Sequence, residues 1–194
     1  MSVISRANNF IFFHIPKCGG TSLLTFFQEK NISVNLINDS HSTNQETYSY
    51  FKHINDLKFY NQSNKFAIIR HPIQRAISLF KYIKVHNNHH LHDFVKKMSF
   101  VEFCYYLKQS KNQKNGITSC YSHLQNKNGS LENITIIKLE EINQNLPLLS
   151  RLVGFTVDCY PKVNISNANF NYTTECGEII EDVFSEDFIY FYGK

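Results

Sequence analysis

The chain has 194 residues, of which 42% are hydrophobic and 19% charged, with seven glycines and four prolines. These proportions exclude a disordered, collagen-like or coiled-coil protein. The length suits one domain with one sizeable core, and we take that domain to span residues 1–194. The formal net charge of +4 is mild and the lysines are spread along the chain, so we predict no nucleic-acid partner.

The sequence also predicts the compartment. Its apolar runs are far shorter than the ~20 residues of a membrane span, and the first residues lack a basic segment followed by a long apolar one. We therefore predict no membrane span and a cytoplasmic location. The five cysteines include no C-x-x-C pair, which favours reduced thiols over a disulfide framework or a structural zinc site.

Three apolar runs predict buried strands, each followed by a helix. Residues 10–15 end at Pro16 and lead through Gly19-Gly20 into a helical spacing over residues 21–27. Residues 66–69 lead through two polar residues to Pro72, a typical first helical residue. Residues 134–139 precede a helical segment at 140–153, with Gly154 as its stop and Pro147 as a potential break.

The remaining pattern adds helices and loops. Ser99 and Glu102 have the spacing of a capping box, and the spacing of apolar residues at 179–184 is helical. Polar stretches near 38–50, 85–93 and 109–130 predict long loops. Strands that alternate with helices indicate an α/β domain with a central parallel sheet flanked by helices, in which ligands bind at the carboxyl ends of the strands.

The strongest local signal lies at residues 16–22, which we name the anion loop; its sequence is Pro-Lys-Cys-Gly-Gly-Thr-Ser. Two glycines allow close approach of a ligand, and the helix N-terminus offers N–H groups and a positive dipole end. Lys17 adds a charge, and Thr21 and Ser22 add hydroxyls. This is not the Walker pattern, because the lysine precedes the glycines. The alternative is a tight turn with an exposed lysine.

A second signal follows the next strand. Arg70 stands at its carboxyl end, where a guanidinium can bind a phosphate in bidentate fashion, and Ser78 lies eight residues further on in the helix. Arg75 is a rival for the same role. A surface ion pair is the plainer interpretation of such an arginine.

The two segments together resemble the carbohydrate (family 2) sulfotransferases. Those sequences carry a loop like I-P-K-[TC]-G-G-T-S and a strand and helix like R-[DH]-P-x-x-R-x-x-S, which correspond here to residues 15–22 and 70–78. His71 stands where the family more often has Asp. The resemblance extends, with less specificity, to residues 138–140, 161–166 and 187–193, and so covers nearly the whole chain.

The resemblance implies a fold like that of P-loop NTPases and an enzyme that transfers a sulfonyl group from 3′-phosphoadenosine 5′-phosphosulfate (PAPS) to a hydroxyl of a carbohydrate. By the same resemblance, Arg70 and Ser78 would bind the 3′-phosphate. Lys17 would be the catalytic lysine at the leaving group, and no metal is required. The 5′-phosphosulfate would be bound by Lys17, Cys18, Gly19, Gly20, Thr21 and Ser22.

The acceptor hydroxyl needs a general base, and a histidine suits neutral pH. In some members of the family a histidine precedes the arginine strand, and His53 stands in the matching place, although Lys52 replaces the usual glycine. A structural or exposed histidine is the alternative. Glu46, Asp56 and Glu102 are the carboxylate candidates. The histidines between 86 and 92 lack the spacing of a metal site and indicate a solvated loop.

Two other functions share the same phosphate chemistry. One is a nucleotide-dependent phosphotransferase with a variant phosphate loop, which the position of Lys17 and the pair Arg70 and Ser78 disfavour. The other is a non-catalytic PAPS-binding module, which the presence of Lys17 disfavours. The sequence does not identify the acceptor.

Overall fold

The structure is a computed structural model that describes residues 2–37, 42–110, 118–131, 133–161 and 172–194. Contacts group the chain into two compact units, the first formed by Met1–Arg70 and Cys120–Val163 and the second by His71–Ser119 and Asn164–Lys194. The single domain over residues 1–194 stays a prediction. No helix in these described ranges has the length and apolar character that crossing a bilayer requires.

The strands are β1 Ser2–Ser5, β2 Phe10–Phe13, β3 Asn35–Ile37, β4 Asn64–Ile69 and β5 Ile134–Lys138. The helices are α1 Gly20–Glu29, α2 Asn44–His53, α3 Leu57–Gln62, α4 Pro72–Val85, α5 His92–Val95, α6 Phe100–Ser110, α7 Cys120–Leu124, α8 Leu146–Val153, α9 Thr174–Val183 and the single turn α10 Ser185–Asp187. A 3₁₀ turn at Leu139–Glu141 follows β5, and a π-helical turn at Phe188–Tyr192 follows α10.

The five strands form one sheet in the first unit, in the order β3-β1-β2-β4-β5. The α/β class is confirmed, but the prediction of a central parallel sheet is only partly so. Strands β2, β4 and β5 are parallel, whereas β1 pairs antiparallel with both β2 and β3. The pairing of β1 with β2 follows from the four-residue connection between them, with Asn9 at φ 51°, because so short a link can join only antiparallel neighbours.

Burial of the sheet explains why two of the predicted strands, β2 and β4, have continuous apolar runs. Every residue of β2 and all but the first of β4 are buried. On one side Phe10, Phe12 and Phe66 pack with apolar residues of α1 and α8 in a single core cluster. Strands covered on both faces have continuous apolar runs rather than an alternating pattern. This packing fixes the strand ends that carry the candidate site.

Two predicted loops contain helices. Residues 44–53, predicted in part as a loop, form α2, because Thr43 and Glu46 form a capping box in which each side chain bonds the other's backbone N–H. Helix α7 interrupts the predicted loop at 109–130. Residues 38–41 and 111–117 lie outside the described residues. The helix predicted at 140–153 is regular only from Leu146, with Pro147 in the first turn of α8 rather than at an internal break, and the predicted stop at Gly154 is confirmed by its left-handed conformation.

The second unit is helical. Its core cluster brings together apolar side chains of α4, α6 and α9, including Phe80, Phe103 and Ile180. The predicted helix start at Pro72 is confirmed. So is the capping box of α6, where Ser99 N donates to Glu102 at 2.7 Å and Glu102 N donates to Ser99 Oγ at 3.3 Å.

Candidate active site

The anion loop lies between the carboxyl end of β2 and the first turn of α1. Lys17 has φ 65° and Gly19 has φ 84°, so the backbone takes a left-handed conformation twice within three residues. Gly19 is the N-cap of α1, provides no capping side chain, and is followed by no acidic residue in the first turn. The helix N-terminus therefore keeps the positive potential that attracts an anion.

Both glycines lie where a larger side chain would collide with the protein. A Cβ at Gly20 would be 2.0 Å from Cδ2 of the buried His14, and a Cβ at Gly19 would be 2.8 Å from Leu139 Cδ1. Tyr160 also donates its hydroxyl to the carbonyl of Gly19 at 2.7 Å. The glycines thus permit close packing behind the loop. The loop itself is fixed against the end of β5, as a preformed anion site requires.

The ammonium of Lys17 is in an unusual electrostatic environment. Its pKa is lowered from 10.5 to about 8, first because the side chain is half-buried and second because Arg70 repels the charged form, while Cys18 acts in the opposite direction. Lys17 and Arg70 thus interact at the same edge of the sheet. Two cations held close together, one of them partly desolvated, form an environment that an anion would stabilise.

A third cation belongs to the same edge. In the parallel register Ile69 is paired with Lys138, so Arg70 and Lys138 lie at the carboxyl ends of neighbouring strands. Lys138 Nζ lies 3.8 Å from a carboxylate oxygen of Glu141. Sequence reasoning noted Lys138 only as part of a weak resemblance and assigned it no role. Its position near the carboxyl end of the third predicted strand, residues 134–139, could have identified it.

The other residues of the anion loop differ in exposure. Thr21 is exposed, whereas Ser22 is buried and donates its backbone N–H to Gly19 O at 3.0 Å. The Cys18 thiol is 1% exposed, and its Sγ lies 3.9 Å from Sγ of the equally buried Cys120. The thiol therefore contributes to packing behind the loop rather than to its ligand face. The sequence did not connect these two cysteines.

The rival arginine has a structural position. Arg75 is 2% exposed in the second unit, donates to the carbonyl of Thr118 at 2.8 Å, and lies 3.8 Å from the carboxylate of the buried Asp187. Its guanidinium also stacks over the Phe184 ring. Ser78 is half-buried on α4 in this unit. Its action together with Arg70 of the first unit stays a prediction.

His53 is the last residue of α2 and is exposed. It lines a cleft of about 510 Å³ on the first unit, together with Gln45, Glu46, Ser49, Tyr50 and Lys127. The lining residues include none of the anion loop. The structure therefore brings Lys17 and Arg70 together and places His53 in a separate surface cleft, and its role as the base stays a prediction.

The carboxylate alternatives all take part in local structure. Asp56 caps α3 and forms an ion pair of 2.7 Å with Arg6, whose hydrogen bond lowers the pKa of Asp56. Glu102 caps α6, and hydrogen bonds from Ser99 lower its pKa. A lowered pKa makes a carboxylate a weaker base. Glu46 caps α2 and lines the same cleft as His53.

His86 and His92, in the predicted histidine-rich loop, lie within hydrogen-bond distance of local backbone carbonyls. Nδ1 of His86 lies 2.8 Å from Tyr82 O, and Nδ1 of His92 lies 2.9 Å from Ile83 O. Within the part of the chain that the structure describes, no group of three or more His, Cys, Asp or Glu side chains is arranged to hold a metal ion.

Comparison with known proteins agrees with this geometry. The model of a family described as "Sulfotransferase family" matches residues 1–191. The chain therefore belongs to the sulfotransferase family, family 2, as the motifs at residues 15–22 and 70–78 predicted. No curated protein and no solved structure matches it. Of the weaker family segment at 161–166, residues 162–166 lie outside the described residues.

Proposed function

We propose that this sulfotransferase uses PAPS as its donor and a carbohydrate hydroxyl as its acceptor. The observation that carries the proposal is Lys17, held in a left-handed backbone conformation beside Arg70 with a pKa of about 8. The arrangement combines a rigid turn, an uncapped helix N-terminus and two adjacent cations. Such a site fits an anionic diphosphate-like group and needs no metal to supply positive charge.

In the proposed reaction the acceptor oxygen forms a bond to sulfur as the bond from sulfur to the phosphate oxygen breaks. The electron pair of the broken bond stays on the leaving phosphate, and the ammonium of Lys17 neutralises the charge that develops there. The backbone of the anion loop, with Thr21 and Ser22, orients the 5′-phosphosulfate for in-line attack. Lys17 is therefore the proposed catalytic residue.

The acceptor proton must pass to a base as the new bond forms. We assign this step to His53, whose imidazole is exposed at the end of α2, because histidine is the commonest general base in enzymes. Glu46 is the alternative in the same cleft. Arg70 and Ser78 are assigned to the 3′-phosphate, the group that distinguishes PAPS from ATP.

The test is transfer of labelled sulfate from PAPS to a panel of oligosaccharides, polysaccharides and small phenols, with a no-acceptor control. Lys17→Ala should lower turnover by roughly 10²-fold or more, whereas the control Lys30→Ala, an exposed lysine at the end of α1, should stay within twofold. Transfer of labelled phosphate from ATP would instead support a phosphotransferase. Binding of PAPS without transfer to any acceptor would support a non-catalytic module.

We also propose a reducing compartment, with the cytoplasm as the simplest case. All five cysteines are thiols, and two of them lie within 3.9 Å of each other without being joined. A reducing environment preserves such a pair. Mass analysis of the protein isolated under alkylating conditions tests this directly.

A further inference from the structure

Two buried thiols lie against each other behind the anion loop, and we name Cys18 and Cys120 the thiol pair. Their Sγ atoms are 3.9 Å apart, and each residue is 1% exposed. Cys18 belongs to the loop, whereas Cys120 begins α7, 102 residues further along the chain. The sulfurs of a disulfide are about 2.05 Å apart. The two sulfurs therefore need to approach by only about 1.9 Å to become bonded.

The surroundings of Cys18 stabilise a thiolate, the form of cysteine that reacts with oxidants. A charged Cys18 acts to raise the pKa of Lys17, so the two side chains interact electrostatically. That interaction is mutual, and the ammonium of Lys17 stabilises the Cys18 thiolate in turn. Cys18 also precedes Gly19, the N-cap of α1, where the helix dipole is positive. Cys18 is therefore the member of the thiol pair that reacts first.

A second pair of buried thiols provides the contrast. Cys104 of α6 and Cys176 of α9 are both fully buried in the second unit. Burial raises the pKa of the Cys104 thiol, and the nearby Cys176 and Glu175 raise it further. A thiol that stays protonated reacts slowly with oxidants. Two pairs of similar burial should thus differ in their reactivity.

Hydrogen bonds hold α7 in place. The carbonyl of its last residue accepts the side-chain amide of Asn44 at 2.8 Å, and Asn44 in turn accepts the hydroxyl of Tyr60 at 2.5 Å. Tyr121 of α7 also donates its hydroxyl to Gly129 O at 2.5 Å. Because the helix is anchored at these points, closure of the thiol pair should move the anion loop more than α7.

The loop transmits a movement of Cys18 to the groups that would bind the nucleotide. Cys18 lies between Lys17 at φ 65° and Gly19 at φ 84°, so both of its neighbours have left-handed backbone conformations. Its own N–H donates to Ile15 O at 3.4 Å, and Tyr160 holds the carbonyl of Gly19 at 2.7 Å. A loop fixed in this way has little slack. A shift of about 1 Å at Cys18 should therefore displace Lys17 and the first N–H groups of α1, and a displacement of that size breaks hydrogen bonds.

We infer that the thiol pair is a redox modification site, and that a reversible disulfide between Cys18 and Cys120 weakens nucleotide binding at the anion loop. The inference rests on the proposed function for its ligand and on the two sulfurs for its own evidence. It also agrees with a reducing compartment, where the disulfides that form in proteins are usually transient and catalytic or redox-sensing.

The oxidant in this proposal is a peroxide. The Cys18 thiolate attacks one oxygen of hydrogen peroxide, the O–O bond breaks, and the leaving hydroxide takes up a proton to become water. Cys120 then attacks the sulfenic sulfur of Cys18, and its proton leaves with the hydroxyl group as a second water. Two thiols lose two electrons and one peroxide gains them. A dithiol reductant reverses the change by thiol–disulfide exchange.

The experiment compares reduced protein with protein treated with hydrogen peroxide. Peptide mapping without reductant should find Cys18 linked to Cys120, with the linked peptides two hydrogen atoms lighter, while Cys104 and Cys176 stay reduced. Calorimetric titration with 3′-phosphoadenosine 5′-phosphate should show roughly tenfold weaker binding or more in the linked form, because loss of one charge-assisted hydrogen bond has an effect of that size. A dithiol reductant should restore the affinity. By linkage, saturating nucleotide should raise the reduction potential of the thiol pair by about 30 mV for each tenfold difference in affinity.

Cys18→Thr removes the thiol that reacts first, and the affinity of this variant should not respond to peroxide. The matched control is Cys104→Ala, which removes an equally buried thiol and should respond as the wild type does. Cys120→Ala should bind nucleotide within about twofold of the reduced wild type, because Cys120 lies behind the loop, and should give no linked peptide. The mapping and the titration of wild-type protein stand even if a variant fails to fold.

The inference is overturned if peroxide links Cys104 to Cys176 as readily as it links the thiol pair, or if the linked protein binds nucleotide as tightly as the reduced protein. Either result leaves the proposed function standing. A reduced protein that forms the disulfide but binds no nucleotide would instead refute the proposed function, and the thiol pair would then be a modification site without that effect.

Discussion

Nucleotide binding should depend on pH through Lys17. In the unliganded protein its pKa is about 8, because burial and Arg70 both disfavour the ammonium. A bound phosphate favours the charged form and restores the pKa toward its ordinary value of 10.5. Binding of the nucleotide is therefore linked to uptake of a proton on Lys17, and it weakens as the pH rises above 8.

The size of the effect follows from the two pKa values. With about 8 in the unliganded protein and 10.5 in the complex, the Kd for 3′-phosphoadenosine 5′-phosphate should rise about tenfold between pH 7 and pH 9. The ligand does not contribute to this change. Its phosphates have second pKa values near 6 and are already ionised across that range.

Calorimetric titration at pH 7, 8 and 9 measures this dependence, and repeating it in buffers of different ionisation enthalpy counts the protons taken up. Lys17→Arg is the matched control, because a guanidinium keeps its charge throughout the range. That variant should bind with nearly constant affinity. If the wild-type Kd changes less than twofold between pH 7 and pH 9, or if Lys17→Arg shows the same slope, Lys17 is not the cation that binds the nucleotide.

Three further changes test the structure around the site. Lys17→Met should abolish nucleotide binding and raise the Tm at pH 7 by about 1–3 °C, because the folded protein no longer holds a charge that it disfavours. The gain in Tm should shrink toward pH 10, where the wild-type protein has also lost that charge, and differential scanning fluorimetry measures both values of Tm. Gly20→Ala should lower the free energy of unfolding by about 1–3 kcal/mol in urea, since the new methyl overlaps His14; wild-type stability would contradict that packing. Arg75→Met should cost about 3–5 kcal/mol by removing the cation beside the buried carboxylate of Asp187, yet any folded fraction should still discriminate 3′-phosphorylated from plain adenosine 5′-phosphate.

The predicted parts of the fold are those whose local sequence and burial agree. Strands β2 and β4 are buried along almost their whole length, so their continuous apolar runs predicted them, whereas β5 is a half-buried edge strand whose β-branched residues predicted it. Strand β1 has apolar residues only at Val3 and Ile4, and β3 has three residues in all, so neither contains an apolar run that predicts a strand. Helix α2 is mostly polar and solvent-facing, so its hydrophobic pattern is weak. Only the capping pair Thr43 and Glu46 marked its start.

The candidate site also contains residues that the sequence predicted and contacts that it did not. Lys17 and Arg70 each follow a readable strand, and parallel pairing brings the two strand ends to one edge. The contacts that fix the loop come from far along the chain: Tyr160 is 141 residues from Gly19, and Cys120 is 102 residues from Cys18. Nothing in local composition encodes pairs at such distances. These two contacts exist only in the folded structure, where the sheet and helices bring distant residues together.

The burial of Cys18 makes opening of the anion loop observable without an introduced cysteine. A thiol that is 1% exposed reacts with an alkylating reagent only when the surrounding loop opens, whereas Cys159 is exposed and reacts at once. The chain thus contains both a slow reporter and its fast internal reference. The ratio of their alkylation rates, followed by mass spectrometry with and without nucleotide, gives the opening frequency of the loop in the unmodified protein.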